Sequence, residues 1–137
     1  MDVNALSAVN YWAVVAAAAS AFVVGGFWFS PLLFGNAWMK ETGLTREELD
    51  GGNPAVTFGV SFVLAALASL VFAMFLGPRP AFSFAVAAGL MAGVFWVGTS
   101  FGINYLFERK SFRLFLINAG YHTVQYGVMG AVLGLWP

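Results

Sequence analysis

Residues 54–76 read PAVTFGVSFVLAALASLVFAMFL, without one charged side chain. A helix needs roughly 20 residues, at 1.5 Å of rise each, to cross the hydrocarbon core of a bilayer, and this run is long enough. It follows Gly51-Gly52-Asn53, with Pro54 suited to a first helical turn, and stops at Gly77-Pro78-Arg79-Pro80. That second break is so short that the helices on either side of it are expected to be antiparallel neighbours. Outward from it lie three more apolar runs, at about residues 9–30, 82–107 and 112–135. The expected fold is therefore all-α and integral to a membrane: four transmembrane helices in a compact bundle, one domain over residues 1–137.

Composition agrees. The chain is 61% hydrophobic and 9% charged, against about 45–50% and 25% for soluble domains. Zero formal net charge and six basic residues argue against nucleic acid as a partner, because phosphate binding requires a basic patch. The absence of cysteine excludes disulfides, thiolate chemistry and Cys-ligated metals, and the lone His122 cannot build a conventional zinc site. No cofactor motif and no convergent nucleophile or acid pair is visible, so no enzymatic activity is expected.

Five of the six basic residues fall in two of the three connections. Lys40 and Arg46 occupy the first, Arg109, Lys110 and Arg113 the third, and Arg79 stands alone in the second. With four spans, the first and third connections share one side of the membrane. Short loops rich in Lys and Arg stay in the cytoplasm, which predicts a multi-pass protein of the inner (plasma) membrane with both termini outside. The N-terminus carries Asp2 and no basic residue, so the first run is expected to remain as a helix and not to be cleaved as a signal peptide.

Within the first connection, Ser30-Pro31 predicts the start of a short interfacial helix that ends at Gly43, with Trp38 and Lys40 as anchors at the headgroup boundary. Thr45-Arg-Glu-Glu48 reads as a capping box for one more turn. Shifting the chain by about half its length aligns Gly25-Gly-Phe-Trp28 with Gly93-Val-Phe-Trp96 and Asn36 with Asn104. Such an echo suits two parallel two-helix repeats, although chance matches are common in a chain so rich in Ala and Gly.

Small residues recur at four-residue spacing in every run: Ala13, Ala17, Ala21 and Gly25; Ser61, Ala65 and Ser69; Ala85, Gly89 and Gly93, then Gly98 and Gly102; Gly130 and Gly134. In lipid, close backbone approach through such ladders supplies much of helix association. There are more small faces than one bundle needs, which favours a homo-oligomer or a membrane-protein partner.

The last run also carries a polar stripe of Asn118, His122 and Gln125, flanked by Tyr121 and Tyr126. Polar groups in hydrocarbon must meet protein or water. Folding the third connection about residue 111 puts Asn104 level with Asn118 and Ser100 level with His122, which predicts a polar zipper between the third and fourth helices. As structure the stripe is glue that fixes register; as function it is a proton or solute path. The spans hold no carboxylate or Lys to serve a proton-coupled carrier.

The Asn10-to-Ala21 alanine run, Gly25-Gly-Phe-Trp-Phe-Ser-Pro31, Phe34-Gly-Asn-Ala-Trp-Met-Lys40, Asn104-Tyr-Leu-Phe-Glu-Arg-Lys110 and Ile117-Asn-Ala-Gly-Tyr-His122 cover almost the whole chain. Through these blocks it resembles a family of small bacterial four-helix membrane proteins catalogued as domain of unknown function 1761. The resemblance implies an inner-membrane, four-span fold and carries over no catalytic residue. The expected role is assembly as a homo-oligomer or with a partner in the bilayer; the alternative is a small transporter or channel with a polar path between helices 3 and 4.

Overall fold

The computed structural model describes residues 3–137, so Asp2 lies outside the described residues. Among these residues the chain is all-helical, with no strand. After a 3-10 turn at Val3–Ala8 come α1 (Tyr11–Trp28), α2 (Gly35–Thr42), α3 (Arg46–Asp50) and α4 (Pro54–Leu76). Then follow α5 (Phe82–Ala92), a π-helical turn (Gly93–Gly98), α6 (Thr99–Glu108) and α7 (Phe112–Leu135). The segments from Phe82 to Glu108 form one continuous rod of 27 residues.

Local chemistry sets the boundaries. The Asn10 side chain accepts from the Trp12 and Ala13 amides, Asn53 does the same for Ala55 and Val56, and Thr45 and Ser111 cap α3 and α7. Each cap satisfies amides that a helix start leaves without a partner. Gly43 and Gly77 end α2 and α4 at φ 75° and 78°, a region that glycine enters without Cβ strain.

The expected helix start at Ser30-Pro31 is corrected: α2 begins only at Gly35. Ser30 is no N-cap, because its hydroxyl donates backward to the Phe27 carbonyl at 2.7 Å. The intervening residues wrap into turns closed by Phe34 N–H to Trp28 O and Gly35 N–H to Ser30 O, both 3.0 Å. A Cβ on Gly35 would overlap the Phe29 carbonyl, so the wrap requires glycine there. Trp38 sits edge-on to Phe29 at 6.0 Å between ring centroids, and Lys40 is exposed on the last turn of α2.

Three helices are long and apolar enough to cross a membrane: Tyr11–Trp28, Pro54–Leu76 and Phe82–Glu108. The fourth expected span, α7, has 24 residues, but its polar positions set it apart in composition. It occupies the centre. α7 packs against α1 on one side and against α5 and the π-helical turn on the other, while α4 leans on α1. Buried side chains of α1, α4, α5 and α7 meet around Met129, which is fully enclosed.

Close approach of α5 and α7 depends on missing side chains. A Cβ on Gly89 would overlap the Tyr126 carbonyl, one on Gly93 the Thr123 Cα, and one on Gly130 the Ala85 carbonyl. Gly134 is less tight: a Cβ there would lie 3.1 Å from the Phe82 Cα. On the other side Ala17 and Ala21 are buried, and the hydroxyl of fully buried Ser69 donates to the Val14 carbonyl at 2.9 Å, tying α4 to α1.

α4 and α5, expected as antiparallel neighbours across the Gly77–Pro80 link, do stand next to each other and share the core at Phe72, Leu76 and Ala85, but without close backbone packing along their length. The two run on either side of an apolar groove of about 700 Å³, walled by Phe72 and Phe75 of α4, Phe84 and Met91 of α5, and Trp96. Each has its small-residue face turned elsewhere, α4 toward α1 and α5 toward α7. At one end of the molecule the residues before α1, the Gly77–Pro80 link and Trp136-Pro137 come together around a cleft of about 280 Å³.

Candidate functional site

Asn118, Tyr121 and His122 on α7 each have a defined neighbour. The Asn118 amide nitrogen donates to the Tyr105 hydroxyl at 2.7 Å. Tyr121 donates to the Ala21 carbonyl at 2.9 Å, which joins α7 to α1, and the Trp28 indole donates to the Ile117 carbonyl at 2.9 Å. His122 stacks on Phe101 with ring centroids 5.2 Å apart and meets Tyr121 edge-on at 4.8 Å. Gln125, one turn further along α7 than His122, is 4% exposed.

The expected zipper between Ser100, Asn104 and α7 is corrected. Ser100 and Asn104 are exposed, and the Ser100 hydroxyl donates to the Trp96 carbonyl of its own helix at 2.7 Å. The π-helical turn causes the difference. An α-helix continued from Gly93 would bring positions near 97, 100 and 104 round to α7. A π turn closes i to i+5 and adds one residue. The face toward α7 therefore advances to Gly98, Phe101 and Tyr105, the residues that meet Ala119, His122 and Asn118. Phe101 and Tyr105 escaped the sequence reading, yet the signal is present: the small-residue ladder steps by four through Ala85, Gly89 and Gly93, then by five to Gly98.

Tyr121, His122 and Gln125 instead line a hollow of about 720 Å³ between α1, α4 and α7. Gly25 and Gly26 of α1 and Thr57, Ser61 and Ala65 of α4 form much of the opposite wall. Small residues make the space. A Cβ on Gly25 would lie 3.4 Å from the Tyr121 hydroxyl, whereas one on Gly26 would meet nothing within 4 Å. The wall offers donors and acceptors from a hydroxyl, an imidazole and a carboxamide, set among Phe22, Phe29 and Phe58. Hollows of this size, mostly apolar with a few convergent polar groups, are the usual form of a small-molecule site. Ala68 and Tyr126 belong both to this hollow and to the apolar groove beyond it.

These features define a class: an all-helical protein, compatible with a membrane, whose most polar long helix is sheathed by apolar ones. Within that class the chain belongs to the family of proteins of unknown function DUF1761, whose model matches residues 12–134. No curated protein and no solved structure matches it.

Proposed function

We propose that this chain is a four-span integral protein of the plasma membrane that holds a small molecule in the hollow beside Tyr121, His122 and Gln125, as a binding protein or small carrier. One observation carries the reading: a cavity of about 720 Å³ into which a tyrosine, a histidine and a buried glutamine converge. Polar groups at that depth must meet protein, water or a ligand, and the Tyr121 hydroxyl, which donates to the Ala21 carbonyl, keeps its capacity to accept. α7 counts as the fourth span because its 24 residues extend about 36 Å, and α1 and the rod shield its polar side chains. The orientation follows from the basic connections, with Lys40, Arg46, Arg109, Lys110 and Arg113 cytoplasmic and both termini outside. On this reading α2, with Trp38 and Lys40, lies at the cytoplasmic headgroups, and the protein is not an enzyme.

The protein is extracted with its surrounding lipid in polymer discs, and the molecules it retains are measured by mass spectrometry. The wild type is expected to carry one small molecule near stoichiometry, and Ala65→Trp, which fills the hollow from α4, is expected to lose it at least five-fold while still melting cooperatively. Identical extracts from both would overturn the reading.

Assembly is the second reading, favoured by the outer face of α6. There Asn104 is exposed beside Ile103, Leu106 and Phe107, the last two 80% and 87% exposed. Carboxamides on such faces hydrogen-bond across helices, and a second copy would supply the partner. In a chain with no other cysteine, Asn104→Cys should then give a disulfide-linked dimer in the membrane; a monomer under oxidation excludes this interface.

A further inference from the structure

We infer that the molecule held is a membrane amphiphile with an uncharged, hydrogen-bonding head and a hydrocarbon tail, its head beside Gln125 and its tail between α4 and the rod. This rests on the ligand-binding reading above.

The two hollows adjoin and differ in chemistry. They share Ala68 and Tyr126, and together follow α4 from Thr57 to Phe75, about 27 Å along its axis. The half nearer the start of α4 has Tyr121, His122, Gln125 and Ser61 in its wall. The other half is walled by Phe72, Phe75, Phe84, Met91 and Trp96. The Tyr126 ring, edge-on to Phe72 at 6.2 Å, stands where the zones meet.

Neutrality of the head follows from the lining. None of the residues around either hollow is Lys, Arg, Asp or Glu. A phosphate sunk this far into hydrocarbon would need a cation beside it. Hydroxyl, imidazole and carboxamide groups instead suit a hydroxyl or carbonyl, so the class is a long-chain or prenyl alcohol, or a quinone.

Entry is sideways. α4 is the least buried of the three apolar spans and takes its main support from α1 alone. Val71 and Phe75, on the rim of the groove, are 51% and 53% exposed. On the facing wall the π-helical turn presents Phe95, Trp96 and Val97 to the groove, and such turns recur where helices serve function.

The experiment uses the full chain in lipid discs and two photoactivatable probes of equal chain length, one a hexadecanol and one a phosphatidylglycerol, each with a diazirine in the tail. The alcohol probe is expected to label peptides containing Phe72–Phe75 or Met91–Val97. Tenfold excess unlabelled hexadecanol should suppress that labelling at least five-fold in the wild type, and unlabelled phosphatidylglycerol should not. Ala88→Trp, which narrows the tail zone, and Gln125→Leu, which removes the head partner, should each reduce it at least three-fold in protein that still melts cooperatively. Equal competition by the phospholipid, or labelling without competition, overturns the inference. A water-soluble molecule in wild-type extracts that is lost in Ala65→Trp but kept in Ala88→Trp also overturns it, while leaving the ligand-binding reading intact. Extracts unchanged in both variants overturn that reading itself.

Discussion

Arg109 closes α6 at φ 59° and ψ 35°, a left-handed conformation that costs a side-chain-bearing residue about 1–2 kcal/mol. Gly43 closes α2 in the same left-handed region without that cost. Arg109→Gly is therefore expected to stabilise the protein by about 1 kcal/mol, read as a raised melting temperature in detergent. An unchanged or lower value would show that the guanidinium itself holds the turn. Other residue-scale features were legible beforehand because they are local: Asn53 before Pro54, Thr45 ahead of Glu48, and Gly43 at a helix end follow from rules spanning four or five positions. Ser30 was misread for the same reason, since what turns its hydroxyl backward is a wrap that ends at Gly35.

At the scale of elements, the small-residue ladders divide into those in contact and those idle. Gly89→Ala would drive a methyl into the Tyr126 carbonyl and part α5 from α7, at a cost of about 1–3 kcal/mol. Gly59→Ala, on α4 with nothing within 4 Å, is expected to be neutral or to stabilise by about 0.5–1 kcal/mol. Unfolding both variants by titration with a denaturing detergent gives the comparison; equal effects would mean that α5 and α7 are not held by glycine contacts. The ladders were visible in the sequence, but which ladder meets which partner was not. Spacing defines a face, and only packing selects its neighbour. The zipper was misassigned for a related reason: one extra residue in the π-helical turn rotates everything after Gly98 by about 100° relative to an uninterrupted α-helix.

For the whole molecule, the three long apolar helices Tyr11–Trp28, Pro54–Leu76 and Phe82–Glu108, and the grouping of both chain ends with the second connection, follow from hydropathy and break positions, whereas α7 does not join them by composition. The hollow did not. Four membrane-length runs suggest a closed bundle, whereas α4 attached through α1 leaves a slot that no periodicity within one helix announces. Orientation is the prediction proper to this scale. The chain has no native cysteine, so Lys110→Cys should resist a membrane-impermeant maleimide applied to intact cells and react after lysis. Strong labelling before lysis would reverse the topology.

The π-helical turn has a consequence for ancestry. A surplus residue inside a helix is what a one-codon insertion leaves, and it can be undone. With Val94 deleted, ordinary α-helical steps from Gly93 arrive at the same Gly98, Phe101 and Tyr105 that now meet α7. The deletion is expected to change stability by no more than about 1 kcal/mol while redirecting Phe95 and Trp96, which line the groove. A deletion variant that melts like its parent but no longer retains its small molecule would show that the extra residue serves binding and not folding; one that cannot fold would show that the fold itself requires it.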